Sequence, residues 1–303
     1  MTNLHINIPP IKSQGIKTKL IPWIRNLLPV GSSQIWVEPF MGTGAVGFNL
    51  ACASAYMCDT SPHIINFYNS ILSREITPGK VRLFLQNEGE KLKSKGEEHY
   101  YFIRERFNKD KNPIDFLFLN RACFNGMIRF NKKGEFNVPF CRKPERFAPA
   151  YITKIVNQVE YLSQLFQYRK FEFHCQDFAT TIAQTSKDSI IYCDPPYIDR
   201  HADYYNGWAE TDEKNLFLAL SGVDCNFILS TWHHNDFRDN QYIEKFWNKF
   251  NIYTRDHFYH LGAKEENRRP MVEALVTNYT PAEVQFRDDT AEKWEETTLI
   301  TLV

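Results

Sequence analysis

Asp194, Pro195, Pro196 and Tyr197 stand together directly after an apolar run, Ser189-Ile190-Ile191-Tyr192-Cys193. The run reads as a buried strand. Two consecutive prolines end it, because neither can donate to a sheet ladder. A carboxylate and an aromatic ring are thereby fixed at a strand's carboxyl end, the edge where open α/β sheets bind ligands. An accepting carboxylate, a fixed backbone carbonyl and a stacking ring suit a flat base that carries an amino group. An Asp-Pro turn that merely ends a strand explains the same residues, and the quartet alone leaves both readings open.

A second constellation lies upstream: Glu38-Pro39-Phe40-Met41-Gly42-Thr43-Gly44. A short strand pattern, Gln34 to Val37, precedes it, and a helical run from Ala45 to Ala53 follows. Ala55 to Cys58 then reads as a second strand ending at Asp59. Strand, glycine loop, helix, strand and acid form the opening of a nucleotide-binding α/β unit. Gly42 and Gly44 permit close backbone approach to a ligand at the helix start. The loop is not G-x-G-x-x-G and lacks the Lys-Ser/Thr of a phosphate loop, which favours a nucleoside without phosphates. Asp59 is placed either to accept ribose hydroxyls or to cap the helix that follows Thr60-Ser61-Pro62. Asp177 and Phe178 follow another strand, where an acid and a ring could hold an adenine by its amino group and its face. Asp177 equally suits a loop turn.

A third cluster is basic. Arg129, Lys132, Lys133, Arg142, Lys143 and Arg146 face only Glu135 and Glu145, so this stretch carries a local charge of about +4. Lys132-Lys133-Gly134 reads as a hairpin tip able to meet phosphates. Charge alone would fit a solvated loop. The interleaved Phe124, Asn125, Phe130, Asn131 and Asn137 favour nucleic acid, since Asn and Arg pair with adenine and guanine edges. Phe124, in a polar context, could wedge into the gap left by a flipped base. Tyr204, Tyr205 and Trp208 lie in a polar stretch, Asp199 to Trp208, just after the Asp-Pro-Pro-Tyr quartet.

The elements that must position these groups are legible in outline. A helix is expected over Lys17 to Leu28, with Pro22 in its first turns. Helical patterns run near Ile64 to Leu72, Lys80 to Lys93, Tyr100 to Phe107, Ile114 to Asn120 and Ala150 to Leu165. Strand patterns resume at Phe171 to Cys175, Ser189 to Cys193, Asn226 to Ser230 and Glu273 to Thr277. The expected fold is therefore α/β, with a mostly helical insertion between early and later strands. The division expected is residues 1–60 and 171–303 as one domain, with 61–170 inserted. The acidic segment Asp288 to Glu296 reads as a solvated end.

Bulk properties narrow the classes. Over 303 residues the formal net charge is zero, so a nucleic-acid partner needs a local basic patch. Seven cysteines show no C-x-x-C pair, which argues against a disulfide framework or a zinc site and fits a reducing cytoplasm. His233-His234 alternate faces on a strand and have no suitably spaced partner, so no metal is expected. No signal peptide and no membrane-spanning stretch is read.

Taken together, these blocks resemble the Dam-type DNA adenine-N6 methyltransferases, the group-alpha amino methyltransferases. Glu38 to Gly44 looks like that family's cofactor loop, and Asp194-Pro195-Pro196-Tyr197 matches its catalytic motif. Phe118-Leu119-Asn120-Arg121, Phe124-Asn125-Gly126, Arg129-Phe130-Asn131 and Gly134-Glu135-Phe136-Asn137-Val138-Pro139-Phe140 look like its DNA-recognition helix and hairpin. The blocks come in the family's order and cover residues 11 to 279.

The resemblance implies a Rossmann-like sheet that binds S-adenosylmethionine, and double-stranded DNA as substrate with the target adenine flipped out. It implies that Asp194 and the Pro195 carbonyl accept from the adenine amino group, beside Pro196, and that Tyr197 stacks on the base. Cofactor contacts are implied for Lys17, Glu38, Pro39, Phe40, Gly42, Gly44, Asp59, Asp177 and Phe178. DNA contacts are implied for Lys12, Phe124, Asn125, Arg129, Asn131, Lys132, Lys133, Pro139 and Arg142. Arg129 is the foremost guanine reader, Lys12 sits where some members read a guanine, and a GATC-like site is the default expectation. The stretch after Tyr197 looks like a loop that closes over the target base. A cognate restriction endonuclease acting separately, in a bacterial or phage-infected cell, is a further partner it allows. Ser13 stands where relatives usually carry a tryptophan that contacts the cofactor. RNA adenine or DNA cytosine-N4 methylation would use the same core, though cytosine enzymes more often carry Ser in place of the motif's Asp. A catalytically silent DNA-binding module is the alternative of a different class.

Overall fold

Ser189–Cys193 forms the strand around which the sheet is built, and all of its residues are buried. That double-sided burial is why the sequence there is continuously apolar rather than alternating. Ile190 and Tyr192 join one core, while Ile191 and Cys193 join the other, as the two-residue period of a strand requires. The computed structural model describes residues 5–29, 34–197, 207–258 and 270–281.

In chain order the strands are β1 (Ile35–Glu38), β2 (Ser54–Asp59), β3 (Lys170–Cys175), β4 (Ser189–Cys193), β5 (Asn226–Asn235), β6 (Arg238–Asp239), β7 (Asn251–Phe258) and β8 (Pro270–Thr277). The sheet order is β3-β2-β1-β4-β5-β8-β7, with β6 folded back on β5. β3, β2, β1, β4 and β5 are mutually parallel. β8 is antiparallel to β5 and to β7. The chain leaves β1 toward β2 and leaves β4 toward β5, in opposite directions along the sheet. The exits of these two neighbouring parallel strands therefore open a crevice at their shared carboxyl edge, the topological switch point of a Rossmann-like α/β fold.

The helices are α1 (Ile21–Asn26), α2 (Ala45–Leu50), α3 (Pro62–Leu72), α4 (Pro78–Lys95), α5 (Glu97–Asp110), α6 (Pro113–Ala122), α7 (Pro149–Tyr168), α8 (Phe178–Ala183) and α9 (Glu210–Ser221). α3 to α7 fall between β2 and β3, as the insertion pattern predicts. Proline opens α3, α4, α6 and α7, where its missing N–H is harmless. These helices have no separate core: Phe118, Phe147 and Ile155 share one apolar cluster with Trp36, Phe48 and Phe171 of the sheet unit. Between α6 and α7 the chain makes a narrow hairpin, bridged at Phe130 and Phe136 and turned by Gly134, whose N–H bonds the Asn131 carbonyl at 2.8 Å.

Three expectations change in detail. The helix expected over Lys17 to Leu28 divides into a 3-10 turn, Thr18–Leu20, and the short α1, with Pro22 in its first turn. The helix after the glycine loop stops at Leu50, because Ala51 is extended at φ −61° and ψ 125°. α8, α9 and β7 carry no clean apolar period and were not expected from the sequence.

Gly44 allows no side chain. Its φ is +72°, and a Cβ there would meet the Phe48 ring at 2.4 Å. Gly44→Ala is expected to cost about 1–3 kcal/mol of stability, read from a denaturant midpoint at unchanged slope. A midpoint equal to the parent's would contradict the strain.

Candidate active site

The loops leaving β1 and β4 meet in the crevice. Pro39–Gly44 is pinned against β2: the Met41 N–H donates to the Cys58 carbonyl at 2.8 Å, and the Gly42 N–H to Asp59 Oδ2 at 2.9 Å. Asp59 Oδ1 accepts from the Ser61 N–H at 2.8 Å. Asp59 thus braces the glycine loop and the entry to α3 together. Each of its oxygens keeps a further lone pair for a hydroxyl. Burial raises its carboxyl above the ordinary value, against these amide bonds. Gly42 lies at φ +49°, with open space where a Cβ would be, so the backbone there is bare to a ligand.

Glu38 ends β1 fully inside the protein. Its Oε2 accepts from the Trp36 indole at 2.8 Å. A Cβ on Gly47 would fall 2.6 Å from the same oxygen, so Gly47 is small to leave room for this carboxyl. Burial pushes the Glu38 pKa up to about 8, and the charge of Asp194 adds to the rise. Glu38 is therefore largely protonated at neutral pH.

Asp194 follows β4 and is half-buried, with its side chain 20% exposed. Lys17 Nζ lies 2.9 Å from Asp194 Oδ1, 3.2 Å from the Gly15 carbonyl, and 4.7 Å from the centre of the Tyr197 ring. Burial raises the Asp194 pKa and the ammonium of Lys17 draws it back. Pro195 is buried and Pro196 half-buried. Tyr197 packs with Trp232 and Met271, and its hydroxyl donates to Glu273 Oε2 at 2.5 Å. Sequence reasoning missed Glu273. The only signal was a lone acid inside the apolar strand Met271-Val272-Glu273-Ala274-Leu275.

On the other side of the glycine loop three rings gather. Phe40 stacks on Phe178 at 5.4 Å, and Trp208 meets Phe40 edge-on at 5.5 Å and Phe178 at 5.6 Å. Trp208 donates to Glu213 Oε2 at 2.6 Å, and Trp247 donates to Glu213 Oε1 at 2.7 Å. Trp208 thus packs with Phe40 and Phe178. Tyr204 and Tyr205 lie outside the described residues. Asp177 caps α8, with Oδ1 accepting from the Thr180 N–H at 2.8 Å and Oδ2 from the Thr180 hydroxyl at 3.1 Å. That is the turn role, one of its two expected readings.

The basic hairpin and the N-terminal arm meet at Asn120. Its Oδ1 accepts from the Lys12 N–H at 2.7 Å, and its Nδ2 donates to the carbonyls of Lys12 and Gly126 at 2.9 and 3.2 Å. This clamp sets Lys12 beside the Phe124–Asn125 turn, where Phe124 is 50% exposed and Asn125 is left-handed at φ 53°. Pro139 is exposed, and its carbonyl accepts from the Phe124 N–H at 2.8 Å. Arg129 Nε donates to Asn137 Oδ1 at 2.9 Å, which orients the guanidinium across the hairpin. Asn131 spends its side chain on the turn: its Oδ1 accepts from the Lys133 and Glu135 N–H groups, and its Nδ2 donates to Glu135. Lys132, Lys133 and Arg142 are exposed. Among the described residues no group of three or more His, Cys, Asp and Glu is placed to hold a metal, and no helix is long and apolar enough to cross a membrane.

The Glu38 environment makes a pH prediction. Its folded pKa of about 8 exceeds the ordinary 4.5. The folded state therefore keeps a proton that the unfolded chain releases. The protonated group's contribution is whole below the unfolded pKa and is lost as pH rises through the folded one. Glu38→Gln should stay as stable as the parent near pH 5 and gain on it toward about pH 9, read from melting temperatures across that range. Parallel curves would contradict a buried neutral Glu38.

A family model described as D12 class N6 adenine-specific DNA methyltransferase matches residues 13–261. The chain is 33% identical to a DNA adenine methylase of Salmonella typhi over 230 residues, covering 72% of this chain and 77% of that one. It is 33% identical to the DNA adenine methylase of Escherichia coli K12 over 193 residues, 62% of this chain and 64% of that one. It is 27% identical over 289 residues to the type II methyltransferase M.FokI of Planomicrobium okeanokoites, covering 92% of this chain but only 44% of that longer protein. The switch-point crevice, its glycine loop and its Asp-Pro-Pro-Tyr edge thus sit in a chain that belongs to the D12 class N6 adenine-specific DNA methyltransferases.

Proposed function

We propose that this chain transfers a methyl group from S-adenosylmethionine to the N6 amino group of a flipped adenine in double-stranded DNA. The observation that carries the reading is that the Asp194–Tyr197 segment and the glycine loop braced by Asp59 leave neighbouring parallel strands, β4 and β1, at the same sheet edge. The cofactor's electrophilic methyl, carried on a sulfonium, is what the bound cofactor would supply. The residues present fit it: bare backbone at Gly42, spare acceptor capacity on Asp59, and the rings of Phe40 and Phe178. Pro39 and Gly44 shape the same loop, Glu38 supports it from beneath, and Lys17 lies within reach of a carboxylate.

The amine of adenine is a weak nucleophile because its lone pair is delocalised into the ring. Asp194 and the Pro195 carbonyl accept its two N–H bonds and favour a tetrahedral nitrogen. Pro196 keeps the edge rigid, and Tyr197 stacks on the base. Positioning supplies part of the acceleration. The carboxylate of Asp194 supplies more, as positive charge develops on nitrogen.

On this reading residues 1–60 and 171–303 carry cofactor and chemistry, and 61–170 read DNA. Arg129, held by Asn137, reads a guanine edge, and Lys12 stands beside the Phe124 wedge. Asn125 and Pro139 shape that wedge, and Lys132, Lys133 and Arg142 meet phosphates. Asn131 acts through the hairpin turn rather than at a base. A GATC-like site is the sequence proposed. A separate endonuclease is the partner that the likeness to a type II methyltransferase supports.

Asp194→Ala is expected to cut turnover by more than roughly 10³-fold, with binding of S-adenosylhomocysteine unchanged. Substantial methyl incorporation from labelled cofactor would sink the assignment. Arg129→Ala should relax preference at one guanine by about 1–3 kcal/mol. Lys132→Ala and Lys133→Ala should weaken all sequences alike and flatten the salt dependence. Duplexes with single-base changes, titrated at several salt concentrations, separate the two. If Arg129→Ala loses affinity evenly, the hairpin only positions DNA.

A further inference from the structure

We propose that Glu273 is a positioning residue for methyl transfer, holding the Tyr197 ring in the plane that stacks on the target base. This rests on the role given to Tyr197 above. Glu273 is 0% exposed on β8, among the buried Met271, Ala274, Leu275 and Val276. A carboxylate buried there is costly unless it is paired. Arg255 stands across from Glu273 in the β7–β8 ladder, and the Tyr197 hydroxyl meets it from the motif.

The Tyr197 hydroxyl donates to Glu273 Oε2, a hydrogen bond that ties the motif's ring to β8 from 76 positions away. Glu273 stands directly across from Trp232 in the β5–β8 ladder, so the two side chains share one face of the sheet. Trp232 and Met271 pack on Tyr197 from that face. Lys17 lies over the ring at 4.7 Å. The hydroxyl bond, Trp232, Met271 and Lys17 thus hold the ring, which is 8% exposed, before any base arrives. Pro195 and Pro196 stiffen the backbone but leave the side-chain torsions of Tyr197 free. Glu273 removes that freedom, which is preorganisation in the ordinary physical sense. A carboxylate accepting from a phenol also pushes electron density into the ring and strengthens its attraction for a nearby cation. Glu273 additionally disfavours the charged form of Asp194, an effect that Lys17 offsets.

The test compares Tyr197→Phe, Tyr197→Ala, Glu273→Ala, Glu273→Gln and the Tyr197→Phe/Glu273→Ala double variant in steady-state methylation of a site-bearing duplex. Tyr197→Phe and Glu273→Ala should each lower kcat roughly tenfold with little change in the KM for DNA. The double variant should be no worse than the more damaged single. Glu273→Gln, whose amide oxygen still accepts from the phenol, should recover most of the loss. Fluorescence of 2-aminopurine at the target position, which reports stacking of the flipped base, should change alike in Tyr197→Phe and Glu273→Ala. Losses that multiply in the double variant would overturn the proposal. So would a Glu273→Ala enzyme of parental kcat beside an inactive Tyr197→Ala. A Tyr197→Ala enzyme of parental turnover would instead remove the stacking role itself, and this proposal with it. If Glu273→Ala melts below the assay temperature, Glu273→Leu takes its place in the same cycle, because it fills the site and cannot accept from the phenol.

Discussion

β1 and β4 lie side by side and parallel, paired through Ile35 with Ser189, Trp36 with Ile190 and Val37 with Ile191. Their connections run to opposite ends of the sheet. That constraint places everything else. Parallel neighbours must release their chains at the same edge, and opposed connections cannot fill the space between the exits. Glu38 to Gly44 and Asp194 to Tyr197 are about 150 residues apart in sequence, yet they face one crevice because of this register alone. The double-sided burial of β4 makes the placement rigid, since neither face of the strand can shift without opening a core.

Into this edge the fold puts an uncommon density of acids. Glu38, Asp59, Asp194 and Glu273 all approach the carboxyl ends of the strands. They are kept compatible by different means. Glu38 holds a proton, Asp59 takes two backbone amides, Asp194 faces Lys17, and Glu273 faces a phenol. The devices differ with the surroundings: neutralisation where burial is complete, amides where a loop is braced, a cation where the edge is partly open. The single ammonium of Lys17 serves two of the site's groups at once, the carboxylate of Asp194 and the ring of Tyr197.

Much of this was readable from residue types. Prolines after an apolar run mark a strand end, because the missing N–H is a hard local rule, and β4 stops at Cys193 as expected. The glycine loop, the strand to Asp59 and the helical insertion are local patterns of the same kind. What stayed hidden depends on partners distant in sequence. Glu273 is one acid in an apolar strand until β8 is laid beside β5. Asn120 is a polar residue in a helix until Lys12 arrives from 108 positions away. The contact of Trp208 with Phe40 and Phe178, fixed by its indole bond to Glu213, joins residues about 170 and 30 positions apart. β7 was not expected because its residues mix charge and aromatics at the sheet's edge, where only one side needs to be apolar.

The Asn120 clamp has a mechanical side. It ties the chain at Lys12 to the base of the recognition turn, while Lys17 is tied to Asp194 at the seat of chemistry. Between those two anchors run only five peptide links, able to reach roughly 17 Å when fully drawn out. The strap turns at Gln14 and Gly15, where Gly15 takes φ +74°. It makes the N-terminal arm a gauge of the distance between the part of the protein that reads sequence and the part that acts on it. Insertions that would pass unnoticed in most surface loops would, in this strap, loosen one anchor or the other.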